Sequence, residues 1–253
     1  MRDVGRPSFW LIDLLPCFAS GEGWGRVFCM ELPPDILLID KPKGITSFDV
    51  IRRLRRELGI KKMGHAGTLD PLATGLMIIG IEKGTKKLNE YLKLPKEYIA
   101  EIRLGERRST GDLEGAILES KVVENIDESF IQEVITGMVG TQSLPVSAYS
   151  AIKKDGVPMY KRARKAEKSG KVIEDVPLRD MEVTEVELLK IEYVDSFCVL
   201  TVRFYVGSGT YIRSLAEEVG RRLGYPATLQ NLRRTKIGEF RIEDARMLKE
   251  RNN

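Results

Sequence analysis

Apolar residues recur along this chain with two periods, and each change of period marks an element. Residues 36 to 40 read as a strand. From Ser47 the period becomes helical: Val50, Ile51, Leu54 and Leu58 share one face, arginines occupy the others, and Gly59 stops the run. Ser47 is the expected N-cap, with Asp49 in the first turn. The run Leu76-Met77-Ile78-Ile79-Gly80-Ile81 predicts a buried strand. Strict alternation of Tyr98, Ala100, Ile102 and Leu104 with more polar neighbours predicts another over 98–104. Phe130, Ile131, Val134, Ile135 and Met138 have helical spacing. Residues 181–193 and 197–206 read as long strands able to pair as a hairpin, and a helix is expected from near Tyr211 to Gly224. Strands scattered among helices, without regular alternation, point to an α+β fold and not to a doubly wound sheet.

Composition narrows the function. The 253 residues suffice for one large domain or two small ones, and 42% hydrophobic content allows a sizeable core. No apolar run approaches the length of a membrane span, so no membrane partner is expected. The net charge of +4 is modest, but the cations are clustered. Arg52, Arg53, Arg55, Arg56, Lys61 and Lys62 form one group. Lys153, Lys154, Lys161, Arg162, Arg164, Lys165, Lys168 and Lys171 form a second, in the segment most suited to being a mobile loop. Arg233, Arg234 and Lys236 form a third. Such clusters suit phosphate contacts. Cys17, Cys29 and Cys198 are too few and too dispersed for a disulfide framework, and with a single histidine no structural zinc site is expected. There is no phosphate-binding Gly-Lys-Ser/Thr motif, and Gly207-Ser208-Gly209 lacks the third glycine of a dinucleotide fingerprint, so no cofactor is expected. Residues 1–29 differ from the rest: the apolar stretch Phe9 to Ala19 is broken by Asp13 and Pro16. They are expected to be a disordered extension, or to precede a translation start at Met30, leaving 30–253 as the folded domain.

The chemistry concentrates in Gly64-His65-Ala66-Gly67-Thr68-Leu69-Asp70-Pro71-Leu72-Ala73-Thr74-Gly75, which contains the sole histidine. Pro71 disfavours helical geometry at Asp70, and the glycines permit backbone shapes that other residues resist. The expected product is a shaped loop that presents a carboxylate and leads directly into a core strand.

This loop resembles the signature of the pseudouridine synthases, in particular the TruB-type tRNA pseudouridine-55 synthases of bacteria. Further matches follow in the family's order: Leu38-Ile39-Asp40-Lys41-Pro42-Lys43-Gly44, Lys96-Glu97-Tyr98, Thr110-Gly111-Asp112 to Gly115, Pro145 to Lys153, Gly209-Thr210-Tyr211-Ile212-Arg213, and Leu232-Arg233-Arg234-Thr235. The resemblance spans about residues 35 to 245. It implies a mixed, mainly antiparallel sheet with flanking helices and a central active-site cleft. It also implies an isomerase that breaks the N1–C1′ bond of a T-loop uridine, rotates the base and joins C5 to C1′, a reaction that needs no cofactor.

By resemblance, Asp70 is the catalytic carboxylate, and Arg213 is the partner expected to hold it ionised through a bidentate pair. Tyr98 matches the tyrosine that stacks on the target base, and Tyr211 and Leu232 match positions lining the uridine pocket. His65 matches the residue that fills the space left by the flipped-out base. Lys41 and Asp112 match motifs whose role is supporting. The partner implied is the T-arm of tRNA, with no obligatory protein partner, for a cytoplasmic monomer. TruB-type members usually append a C-terminal PUA-type RNA-binding module, expected to be absent here because the sequence stops soon after Lys236. Two alternatives stay open at this stage: a tRNA-binding or folding factor that keeps the fold without catalysis, and a guide-RNA-dependent synthase subunit of archaeal or eukaryotic type.

Overall fold

The structure is a computed structural model that describes residues 32–150, 152–167, 169 and 176–248. The expected extension, residues 1–29, lies outside the described residues, as do Lys168 and Lys171 of the second basic cluster. From Pro33 onward the chain forms one unit.

The first strand, β1 (Ile36–Lys41), leads through a short turn into helix α1 (Ser47–Leu58). The N-cap is Thr46 and not Ser47 as the sequence suggested. Thr46 accepts from the Asp49 amide while the Asp49 carboxylate accepts from the Thr46 amide, closing a reciprocal capping box. Gly59 stops the helix as expected, at φ 68°. Strand β2 (Met63–His65) and strand β3 (Thr74–Ile81) enclose the signature loop, and the short helix α2 (Leu88–Lys93) follows. The predicted alternation appears as β4 (Lys96–Leu104), in which every second residue from Lys96 is buried. The small hairpin β5 (Glu106–Arg108) and β6 (Ile117–Ser120) precedes helix α3 (Glu128–Thr136) and strand β7 (Gly140–Pro145).

The second basic cluster corrects the sequence expectation of a loop. It contains a two-stranded ribbon, β8 (Lys153–Lys154) with β9 (Val157–Pro158), and helix α4 (Met159–Glu167), which buries Met159 and Ala163. The expected hairpin is β10 (Leu178–Val194) with β11 (Phe197–Val206), paired antiparallel from Val183↔Val206 to Val194↔Phe197. Helix α5 (Ile212–Leu223) starts after Tyr211 and ends at Gly224, and is followed by β12 (Ala227–Ile237), β13 (Phe240–Arg241) and β14 (Arg246–Met247).

The main sheet has ten strands, ordered β14-β1-β3-β12-β4-β11-β10-β7, with β2 beside β3 and β13 beside β12. Two pairings are parallel, β1 with β14 and β3 with β12, and the others are antiparallel. The fold is therefore α+β around a mixed, mainly antiparallel sheet, as expected. One apolar cluster unites α1, α3 and α5 with the sheet through residues such as Leu54, Ile131 and Leu215. Strand β12, laid between β3 and β4, brings distant parts of the sequence to the signature loop.

Candidate active site

The signature loop is clasped on both flanks before it presents Asp70. Ser47 Oγ donates to the Leu69 carbonyl at 2.9 Å and accepts from the Leu69 amide at 2.8 Å. Its location at the start of α1 is thus used for the loop and not for capping. Arg234 is 1% exposed, and its Nε donates to Leu76 O at 2.7 Å and its Nη2 to Gly67 O at 3.3 Å. Lys41 is fully buried and donates from Nζ to Pro42 O (2.9 Å), Ile45 O (2.8 Å) and Pro71 O (3.5 Å). The Gly44 amide also donates to Pro71 O, at 2.8 Å. Asp70 itself opens a turn, its carbonyl accepting from the Ala73 amide at 3.1 Å, which agrees with the constraint imposed by Pro71. Gly67 and Gly75 adopt φ of +92° and +108°, as the glycine pattern suggested. Gly64 is used differently: it has no positive φ, and a Cβ there would lie 2.8 Å from Leu88 Cδ1, so the Leu88 side chain would have to shift.

The Asp70 carboxylate meets Arg213 at one point, Nη2 to Oδ2 at 2.9 Å. The expected bidentate pair does not form, because the same guanidinium is shared. Its Nη1 donates to Thr110 O at 2.9 Å and lies 3.7 Å from Asp112 Oδ2, and Nη2 also donates to Tyr149 O at 3.5 Å. The Arg213 side chain is 9% exposed while that of Asp70 is 41% exposed, so the fixed cation lies inside and the carboxylate is open to solvent. Two carboxylates and two carbonyls repay the desolvation of this one arginine. Asp112 (4% exposed) is itself held, accepting from Thr110 Oγ1 at 2.6 Å and from the Glu114 amide at 3.1 Å. Asp112 thus supports Arg213 from behind.

His65 is half-buried in β2, opposite Ile79, and its Nδ1 is buried with no hydrogen-bond partner. Burial first, and then the Arg234 charge, lower its pKa below 6.5, so the imidazole is neutral at pH 7. Register places the remaining residues. Tyr98, 9% exposed in the core, lies opposite Arg234 across the β4–β12 pair, and Arg234 in turn faces Gly75 across the β12–β3 pair. Leu232 packs on the core from β12, and its carbonyl accepts from Thr74 Oγ1 at 3.4 Å. Tyr211 is the residue before α5, half-buried, its amide donating to Met181 Sδ at 3.5 Å.

Sequence reasoning found the third basic cluster suited to phosphate contacts, and the structure corrects this for Arg234. Arg233 pairs with Asp40 (2.7 Å), Lys236 pairs with Glu97 (2.8 Å), and Arg234 is buried against the loop. Side chains alternate between the two faces of a strand, so Arg234 is buried while its neighbour Arg233 is not; the side chains of Arg233 and Lys236 are 41% and 38% exposed. Glu217 escaped notice altogether. It lines a cleft of about 520 Å³ with Arg107, Thr110, Ser147 and Arg213. Burial raises its carboxyl pKa, opposed by the charges of Arg107 and Arg213.

Lys41 supplies a measurable consequence. Burial, the largest influence, lowers its pKa from 10.5 to about 8, with the Asp70 charge opposing the shift. Below pH 8 the folded and unfolded chains both carry the proton, and the cost of burying the charge is fully present. Between about 8 and 10.5 only the unfolded chain retains it, so this group's contribution to stability rises with pH across that window. Urea titrations at pH 7.5 and 10 are expected to show the wild type gaining stability relative to Lys41→Met. An unchanged difference would mean that Lys41 is not buried as a cation. Lys96, lowered to about 8 by burial and by Arg234, cancels in this comparison.

The TruB family pseudouridylate synthase (N terminal domain) profile matches residues 55–212. The tRNA pseudouridine synthase B of Corynebacterium efficiens is 41% identical over 210 residues, covering 83% of this chain and 69% of that protein. The namesake from Mycobacterium sp. strain KMS gives the same identity and coverage, 41%, 83% and 69%. Among solved structures, a Cbf5–Nop10–Gar1 complex superposes with a TM-score of 0.62 at 28% identity, over 84% of this chain and 52% of that one. An H/ACA ribonucleoprotein bound to a substrate RNA gives 0.61 at 27%, over 84% and 50%, so this chain spans about half the length of those chains. The chain belongs to the TruB family of pseudouridylate synthases.

Proposed function

We propose that this chain is a tRNA pseudouridine synthase that isomerises the T-loop uridine at position 55, with Asp70 as its catalytic carboxylate. The observation that carries this is the exposed Asp70 carboxylate, set on a loop clasped by Lys41, Ser47 and Arg234 and oriented by a buried arginine. Isomerisation cleaves the N1–C1′ bond, turns the uracil and forms the C5–C1′ bond, and no atom is gained or lost. What it requires of the protein is one ionised, positioned carboxylate to act as nucleophile or as base. Asp70 is exposed with the buried Arg213 fixed beside it, which suits either role. In this reading Tyr98, Tyr211 and Leu232 form the walls around the flipped uridine, and the neutral His65 occupies the gap it leaves. Lys41 and Asp112 hold the loop and the arginine. The substrate is tRNA, engaged through its T-arm, and the enzyme works in the cytoplasm as a monomer without an obligatory protein partner. The 41% identity to tRNA pseudouridine synthase B supports this over a guide-RNA-dependent subunit, since the ribonucleoprotein relatives stand at 27–28%.

Purified protein incubated with an unmodified tRNA transcript is expected to yield pseudouridine at position 55 alone, without guide RNA. Its absence there would overturn the assignment. The reaction is also expected to proceed after exhaustive EDTA treatment, in a tRNA refolded with magnesium beforehand. Among the described residues no cluster of His, Cys, Asp and Glu suits a metal ion, and the isomerisation transfers no electrons. Activity that is lost and then restored by one particular metal would contradict a cofactor-free reaction.

A further inference from the structure

Helix α1 carries Arg52, Arg53, Arg55 and Arg56, and the acids on it are already engaged. Asp49 is held by Arg52 and by the Thr46 cap, and Glu57 pairs with Arg246 at 2.9 Å. Among the described residues no carboxylate pairs with Arg53 or Arg56. Ile45, Asp49, Arg52, Arg53, Arg55 and Arg56 line a hollow of about 550 Å³. On the same helix Phe48 is 56% exposed, with the Arg52 and Arg55 guanidinium groups each 5.9 Å from the ring centre. Arg55 is fixed by donation from Nη2 to Met63 O at 3.3 Å, and its Nε is buried with no partner. A buried donor left unpaired costs free energy, and a mobile solvated arginine would not bear that cost.

This surface adjoins the active site. Ser47, at the start of α1, holds Leu69 beside Asp70, and Arg55 holds the strand that leads into His65. At about 1.5 Å per residue, Arg53 and Arg56 lie about 9 and 14 Å along the axis from Ser47. We propose that the arginine hollow of α1 docks the phosphate backbone of the substrate RNA beside the target uridine. The inference rests on the tRNA assignment above. A phosphate is the group suited to the hollow: it is anionic, accepts from several guanidinium donors at once, and recurs along a strand. Here the unpaired cations are the binding element, whereas Arg213 and Arg234 are spent on the loop.

The test uses the full chain with Arg53→Gln and Arg56→Gln together, and Arg53→Lys with Arg56→Lys as the conservative pair. Affinity for an unmodified tRNA transcript is measured across a salt series, with single-turnover pseudouridine formation at saturating enzyme. The Gln pair is expected to bind at least tenfold more weakly. Its slope of log affinity against log salt should be shallower by about 1.4 to 1.8, for two phosphate contacts at about 0.7 to 0.9 each. The rate at saturation should stay within twofold of wild type, and the Lys pair should regain most of the affinity. Wild-type affinity and slope in the Gln pair, with wild type active, would overturn the docking surface alone. Failure of the Lys pair to regain affinity would overturn the phosphate contact. A wild type that binds tRNA with the expected dependence on these arginines but forms no pseudouridine would overturn the enzyme assignment and leave the surface standing.

Discussion

Asp70→Asn is expected to leave no measurable pseudouridine, a loss in kcat/KM of at least about a thousandfold, or about 4 kcal/mol of transition-state stabilisation. The substitution keeps the shape of the side chain and removes only its charge and basicity. The loop need not move, since its clasps come from Lys41, Ser47 and Arg234 and none uses the Asp70 side chain. Arg213 retains Asp112 and the carbonyls of Thr110 and Tyr149. Stability should fall little, because a carboxylate 41% exposed makes a screened ion pair. Affinity for tRNA should stay within a few-fold, since in the proposed role Asp70 acts on the nucleoside and not on the backbone. Appreciable turnover in a preparation free of wild-type enzyme would remove Asp70 from the chemistry. A large fall in unfolding free energy would instead show that the carboxylate is structural.

Gly75→Ala is expected to destabilise the fold by about 2 to 5 kcal/mol, combining backbone strain with forced overpacking. Gly75 sits at φ +108°, and a Cβ there would lie 2.2 Å from the Arg234 carbonyl oxygen and 2.7 Å from its amide nitrogen. These are backbone atoms of the adjacent parallel strand, so no rotamer can relieve the clash. To admit a methyl group, β12 must separate from β3, and that movement carries the Arg234 guanidinium away from Gly67 and Leu76. Activity should therefore fall together with the urea midpoint, whereas Asp70→Asn separates the two. A Gly75→Ala protein with wild-type stability would mean that the two strands are not in this contact.

The sequence made the periodic elements legible, because burial dictates their pattern. The alternation in β4 and the glycines closing α1 and α5 were readable for that reason. The N-cap of α1 was displaced by one residue because Thr46 and Ser47 are both good caps. The choice is made by Asp49, which stands at the right distance to answer Thr46, and by Leu69, which takes Ser47. Helix α4 was hidden by its charge: Met159 and Ala163 are buried in it, too few for a visible stripe. The aspartate and its arginine were legible through the resemblance, but their geometry was not. Single-point contact, the buried cation and the shared guanidinium all depend on Thr110, Asp112 and Tyr149, which are remote in sequence. Arg234 was the clearest misreading. Charge suggests solvent, but Arg234 lies on the inward face of β12, where its guanidinium donates to the carbonyls of Leu76 and Gly67.

The order of strands also bears on how the protein is made. β12 separates β3 from β4, and the clasp from Arg234 to Leu76 joins residues 158 apart in sequence. A ribosome adding about 5 to 20 residues per second needs roughly 8 to 30 s to span that interval. Until β12 emerges, β3 and β4 each keep an open edge, a template for pairing with other chains. The nascent chain thus carries its signature sequence early, yet it cannot shape that loop until late. Synthesis of this enzyme should depend on chaperones that shield those edges during the wait, and a pause upstream of β12 should lead to aggregation more readily than one downstream.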